Sequence, residues 1–238
     1  MVRATRILSK GRKAPADLNL LKVLQSEITH ELSSKRFQGI QNGPVGGFTL
    51  EYDAPQSQDV VLWRKCESGE EIAVSAMLGL DTFAREGIFP REVLMKVCVK
   101  KPGLSSMLHF DCGVSEVDSG RSEFDIHNAC YLQSATCPGP SVYRGPMFSS
   151  VNWYAYSLRK LVSEMVLVCF CPSSTVASSR KPLSTLDRQL QGALKEYLVA
   201  RGIGESLTNF LLLHLHKKEQ GQYVNWLQKL ESLVAKGE

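Results

Sequence analysis

The sequence predicts an α+β fold: one helix, then a meander of strands, then more helices. Three observations carry that prediction. Leucine-rich 3.6-residue periodicity appears near residues 18–32 and returns after residue 184. Between those regions lie short stretches of β-like alternation. The turns at residues 67–70, 101–104 and 118–121 are too short for parallel crossovers, which need about a dozen residues or more, so the strands they join run antiparallel. The 238 residues are 43% hydrophobic and 22% charged, values ordinary for a chain that buries a core. The longest apolar run, residues 165–171, has seven residues, whereas a membrane-spanning helix needs about 20. No membrane span is expected.

The first helix is read from Asp17 as N-cap, with Leu18, Leu21, Leu24, Ile28 and Leu32 as its apolar stripe. Residues 39–47 hold four glycines and Pro44 and read as a linker. Strands are expected at residues 48–53, 59–65, 71–78, 93–100, 106–113 and 123–132. Their turns carry Gly69, Gly103 and Gly120, where positive φ suits glycine. Phe48, Leu50 and Tyr52 alternate with polar residues, so the first strand is expected to have one wet face. Ser184 reads as cap of the next helix, with Leu186, Leu190, Leu194, Tyr197 and Leu198 buried and Gly202 as its stop. Two more helical segments follow, one holding Leu207, Phe210, Leu211 and Leu215 and the other Tyr223, Trp226, Leu227, Leu230 and Val234. Trp226 and Leu230 are expected to cover Leu21, Leu24 and Ile28.

Charge is unevenly distributed. The formal net charge is +4, yet residues 1–16 carry five bases and no acid. Residues 17–150 carry 12 bases against 17 acids, and residues 151–184 carry four bases against Glu164 alone. A nucleic-acid binder would hold its positive excess as a patch on the folded domain, so the gathering of excess bases in two short segments weakens that reading. The acids Glu51, Asp53, Asp59, Glu67, Glu70 and Glu71 crowd the first three strands and their turns. They read either as a solvated face or as a surface that attracts basic partners.

Catalytic and metal motifs are sparse. The seven cysteines form no CxxC pair, and core thiols in a reducing compartment are the simplest reading. His214 and His216 diverge by about 200° on a helix and cannot face one metal. His109 and Asp111 share one strand face while Cys112 takes the other, which separates a would-be base from its nucleophile. Walker, GxGxxG, GxSxG and HExxH motifs are absent from the sequence. No enzyme activity, cofactor or metal is expected. A thiol-dependent redox or metal-binding protein and an RNA-binding module are the alternatives.

Residues 1–16 read as a basic tail or a partial transit peptide. Arg3, Arg6, Lys10 and Lys13 fall on one helical face, with Ile7 and Leu8 away from it. Residues 17–238 read as a single domain.

Residues 186–233 contain LD-x-x-L…YL-x-x-RGI followed by Y-x-x-WL-x-x-L. The matching positions are Leu186, Asp187, Leu190, Tyr197, Leu198, Arg201, Gly202 and Ile203, then Tyr223, Trp226, Leu227 and Leu230. Upstream stand LLKVLQSEI, DVVLWRKC, FDIHNACYL and YRGPMF. The chain thereby resembles the mitochondrial glycoprotein, or mitochondrial acidic matrix protein, family in its plant-type branch. The resemblance implies a twisted antiparallel sheet of about seven strands, an N-terminal helix, paired C-terminal helices and a ring-like homotrimer. It implies a non-enzymatic matrix protein that supports mitochondrial translation and oxidative phosphorylation. Its partners would be basic proteins, translation or respiratory assembly factors, and RNA. Another organelle or the cytosol is the alternative location if the basic tail is not a transit peptide.

Residues 151–185 interrupt the family pattern between YRGPMFSS and Leu186. They read as a retained intron or splice variant, because joining Ser150 to Leu186 restores the motif. The rival reading is a helical lid through Tyr154, Leu158, Leu161 and Met165. An apolar, uncharged run such as residues 165–171 invites edge-to-edge pairing between chains. Deleting residues 151–185 is therefore expected to raise solubility and leave the melting temperature equal or higher. Unfolding of the deletion variant would assign the segment to the fold.

Overall fold

The computed structural model describes residues 15–34, 37, 45–79, 89–118, 121–132 and 187–236. The basic tail, the 151–185 segment and its proposed boundaries lie outside those residues, as do Ser184, Leu186 and Gly120. The described elements are α1 (Pro15–Ser33), β1 (Thr49–Tyr52), β2 (Asp59–Lys65) and β3 (Glu71–Leu78). They continue with β4 (Val93–Lys100), β5 (Met107–Asp118), β6 (Arg121–Leu132), α2 (Arg188–Val199) and α3 (Glu205–Lys236). The chain forms two compact units, residues 39–218 and residues 1–38 with 219–238.

In the larger unit six described strands form one sheet in the order β1-β2-β3-β4-β5-β6. Every neighbouring pair is antiparallel, as the short turns predict for the strands they join, and β3–β4 pairs the same way across a longer link. Gly69 and Gly103 take positive φ (80° and 74°) in their turns, as expected. β5 and β6 are longer than the alternation suggested, twelve residues each, and continue through Asp118 and Arg121. One side of the sheet carries Leu62, Val74, Met95, Val97, Phe110 and Phe124, all buried. Its helical cover shows in the Phe110–Tyr197 ring contact at 6.2 Å and the Ser122 Oγ–Thr208 Oγ1 hydrogen bond at 2.7 Å.

The other side is not a wet face at the sheet's centre. Val61, Ala73, Ser75, Cys98, His109 and Cys130 are buried there too. A strand covered on both faces loses the clean alternation that a half-wet strand shows. In β1 the expected alternation also fails, because Leu50 is exposed in a short strand at the sheet's end.

Three expectations about the helices need correction. α1 starts at Pro15 rather than after Asp17, which lies in its first turn. Proline suits that position because its missing N–H would have no helical partner. α2 is capped by Asp187, whose carboxylate accepts a hydrogen bond from the Gln189 backbone N–H at 2.8 Å. Aspartate caps about as well as serine, so Ser184 is not needed there. Of its expected stripe Leu198 is fully buried, whereas Leu190 is exposed. The two final segments are one 32-residue helix, α3. Gly221 lies between them and costs about 1 kcal/mol relative to alanine, too little to break a helix buried on both sides of it. Among the described residues no helix is long and apolar enough to cross a membrane.

The smaller unit pairs α1 with the C-terminal half of α3. Its core is Leu24, Ile28 and Leu227, with Leu230 packed against it. Gln25 donates to Glu231 at 2.9 Å, and Gln220 donates to the backbone carbonyl of Glu31 at 3.0 Å. Trp226 does not enter this core: it is 55% exposed and stacks on Tyr223 at 6.0 Å. The helical stripe placed Trp226 inside, but Leu227 is the one that faces α1. Leu227→Ala is accordingly expected to cost about 2–5 kcal/mol, and Trp226→Ala no more than about 0.5. Denaturant unfolding of both variants measures the contrast, and equal losses would mean the helix faces are wrongly assigned.

Candidate functional site

The six acids singled out from the sequence separate along β2. Its seven residues span roughly 20 Å, with Asp53 and Asp59 near one end and Glu67, Glu70 and Glu71 near the other. Glu51 sits at an irregularity in the β1–β2 pairing, between Leu50 and Tyr52, and accepts a hydrogen bond from Thr49 Oγ1 at 3.0 Å.

Asp53 is the centre of a clasp onto α3. Its carboxylate meets His214 Nε2 at 2.8 Å and Lys218 Nζ at 2.5 Å. Lys218 also donates to the Asp59 carbonyl at 2.9 Å, so one ammonium ties the β1–β2 link to the helix. His214 stacks on Phe210 at 5.1 Å, one helical turn back. Burial raises the Asp53 carboxyl, but the hydrogen bond and charge of Lys218, then the charge and hydrogen bond of His214, outweigh it. The net effect holds the group below its ordinary 3.8.

Glu70 is bound to a second cation. Arg201 Nη2 donates to its carboxylate at 2.9 Å, and both side chains are mostly buried. The same guanidinium lies 3.5 Å from the Tyr197 ring centroid and donates to the Tyr197 carbonyl at 3.0 Å. Arg64 in turn donates to the Arg201 carbonyl at 3.3 Å, satisfying an acceptor that the end of α2 leaves open. Gly202 follows with φ +88°, and a Cβ there would collide with the Arg64 guanidinium and approach Phe48 to 3.3 Å. Ile203 is fully buried. The RGI motif is therefore a structural junction, in which each of its three residues holds α2, its C-terminal turn and β2 together. Glu71 stands opposite Lys65 and Lys100 in the ladder, and Glu67 is exposed.

The other candidate groups are placed as alternation requires. His109 Nε2 lies 3.4 Å from Asp111 Oδ1, while Cys112 is on the helix-covered face. Burial, then the charges of Asp111 and Asp125, push the Cys112 thiol far above its ordinary value, which makes it a poor nucleophile. Cys98, Cys112 and Cys130 are buried free thiols, and Cys66 is half-buried. His216 points away from His214: its Nδ1 meets the Leu212 carbonyl at 2.7 Å and its ring lies 5.2 Å from Phe89.

The sequence reading missed two features. His127 is the extra residue where β6 slips against β5, since Asp111 pairs with Asn128 and Cys112 with Ile126. It reaches within 3.9 Å of Glu92 across Gly113, where a side chain would collide with both. Glycine inside a strand was the available signal. On α1, ligand atoms of Glu27, His30 and Glu31 lie within 4.8 Å of one another. Their i, i+3, i+4 spacing was legible, but the tertiary contacts that gather them were not.

A family model described as mitochondrial glycoprotein matches residues 180–234. The crystal structure of the Trypanosoma brucei p22 protein is similar in fold, at 19% identity and a TM-score of 0.57. That match covers 93% of this chain and all of p22. A hypothetical protein from Leishmania major, described as a sequence homologue of the human p32 protein, matches at 16% identity and a TM-score of 0.58. It covers 92% of this chain and 99% of its own.

The Asp53 clasp gives a pH test. A depressed folded-state pKa stabilises fully above the unfolded value of 3.8, and the contribution disappears as pH falls below it. The stability gap between wild type and Asp53→Asn should therefore be full at neutral pH and shrink below 3.8. A gap that stays constant down to about pH 3 would show that the carboxylate charge contributes nothing.

Proposed function

We propose that the chain is a member of the mitochondrial glycoprotein family, whose model matches residues 180–234, and that it is a trimeric, non-enzymatic binding scaffold of the mitochondrial matrix. In this reading it supports mitochondrial translation and oxidative phosphorylation by holding basic proteins, among them translation and respiratory assembly factors. The observation that carries the reading is where the titratable groups lie. Arg201, Glu70, Asp53, His214 and Lys218 are tied into contacts that hold helices to the sheet. The Cys112 thiol is buried and held protonated, which weighs against thiol chemistry at that position.

A protein of this kind acts through its surface. Glu51 and Glu67 would supply the attraction for basic partners, with Asp59 and Glu71 beside them. Asp53 and Glu70 act mainly in the fold. Such attraction is worth more to encounter rate and selectivity than to affinity, and it weakens with salt. RNA remains the partner for which a steep salt slope of binding would argue.

Light scattering on the full chain tests the assembly. Three times the 26.4 kDa chain mass is expected, and a clean monomer at micromolar concentration would remove the ring. Co-purification from isolated matrix then identifies the partner. Recovery of no translation or respiratory assembly factor would remove that part of the reading.

A further inference from the structure

The helix pair of the smaller unit carries an apolar face that its own core does not use. On α3, Tyr223, Trp226 and Leu233 recur at i, i+3 and i+10, one side of the helix at about 100° per residue. On α1, Leu20, Val23 and Glu27 recur at i, i+3 and i+7. The Tyr223 hydroxyl donates to Glu27 at 3.3 Å, which puts the two stripes on the same side of the pair. Gln25 and Glu231 join on the opposite side. Leu20, Val23, Tyr223, Trp226 and Leu233 are each between 38% and 71% exposed. Large apolar and aromatic side chains gathered in this way mark an interaction surface rather than scattered exposure.

Charge at one end of the face narrows the occupant. Glu27 and Glu31 come together there with His30, their ligand atoms within 4.8 Å. The partners of the two carboxylates are the Tyr223 hydroxyl, the Gln220 amide at 3.1 Å and His30 Nδ1 at 4.0 Å. No lysine or arginine of the described residues forms an ion pair with either of them. Two adjacent carboxylates beside an aromatic stripe complement a cation carried on an apolar helix. A groove between two helices takes a third helix through anchors at i, i+3, i+4 and i+7 spacing.

We propose that this face, centred on Trp226 and bounded by Glu27 and Glu31, docks a basic amphipathic helix of a partner protein. The inference rests on the binding-scaffold reading and deepens it by naming the partner's recognition element. The partner's apolar side lies along Val23, Trp226 and Leu233, and a lysine or arginine near one end meets the two carboxylates. Trp226 acts as the anchor, as a partly exposed Trp in a shallow apolar stripe does at protein interfaces.

The test is a titration of the full chain against a fluorescein-labelled synthetic helix of leucine and lysine, about 18 residues long, read by anisotropy. A leucine–glutamate helix of the same pattern is the control. Micromolar binding of the lysine peptide is expected, weakened about tenfold or more by Trp226→Ala. The double variant Glu27→Gln/Glu31→Gln should bind more weakly and with a smaller salt dependence. Circular dichroism checks that the variants remain folded. Wild-type binding by Trp226→Ala, or equal binding of the acidic helix, would overturn the proposal. So would a Trp226→Ala variant whose assembly mass falls, because the face would then be covered by a second copy. The mass measurement reads assembly and the titration reads this face. A monomer that binds the lysine helix therefore defeats the ring alone, and a trimer that ignores it defeats the docking face alone.

Discussion

The larger unit depends on one junction, where the end of α2 is held to the sheet by two arginines. Arg201 reaches Glu70 in the β2–β3 turn while Arg64 reaches back from β2 to the Arg201 carbonyl. The two contacts run in opposite directions, so the helix end and the strand end position each other. The partly buried Arg201–Glu70 pair matters more than a surface ion pair, because removing either partner leaves a charge that water reaches poorly. Gly202 is required by the same geometry. Its left-handed backbone turns the chain from α2 toward α3, and its missing side chain leaves room for the Arg64 guanidinium. From that turn onward Ile203, Leu207, Leu211 and Leu215 enter the core.

Much of this was legible in the sequence because local rules and tertiary demands coincide. Short turns and alternation gave the antiparallel meander, and the leucine stripes gave the helices. The errors fall where tertiary context overrides the local signal. Leu50 read as part of the apolar face of the first strand, yet it is exposed. Trp226 and Leu227 are adjacent and both apolar, and only the position of α1 decides which one is covered. The two segments on either side of Gly221 read as separate helices and are one, α3.

The acids show the same limit from the functional side. Composition grouped Glu51, Asp53, Asp59, Glu67, Glu70 and Glu71 because they are close in sequence. The cations that pair with two of them, His214 and Lys218 with Asp53 and Arg201 with Glu70, come from more than 130 residues away. A count of charges cannot show which carboxylates are already engaged. Glu27 and Glu31 illustrate the converse, since their spacing was ordinary helix spacing until Tyr223 and Gln220 were brought beside them.

The pairing of α1 with the end of α3 also bears on how the molecule is made. The hydrogen bonds between them join residues 189 to 206 positions apart. Sheet neighbours, by contrast, are consecutive in the chain and can form hairpin by hairpin. During synthesis α1 emerges long before its partner, with the whole sheet made in between. Leu24 and Ile28 therefore face water, or a chaperone, while the roughly 190 residues between the two helices are made. The earlier helix of the pair waits for the later one, and loss of the last turns of α3 would leave that leucine stripe permanently uncovered.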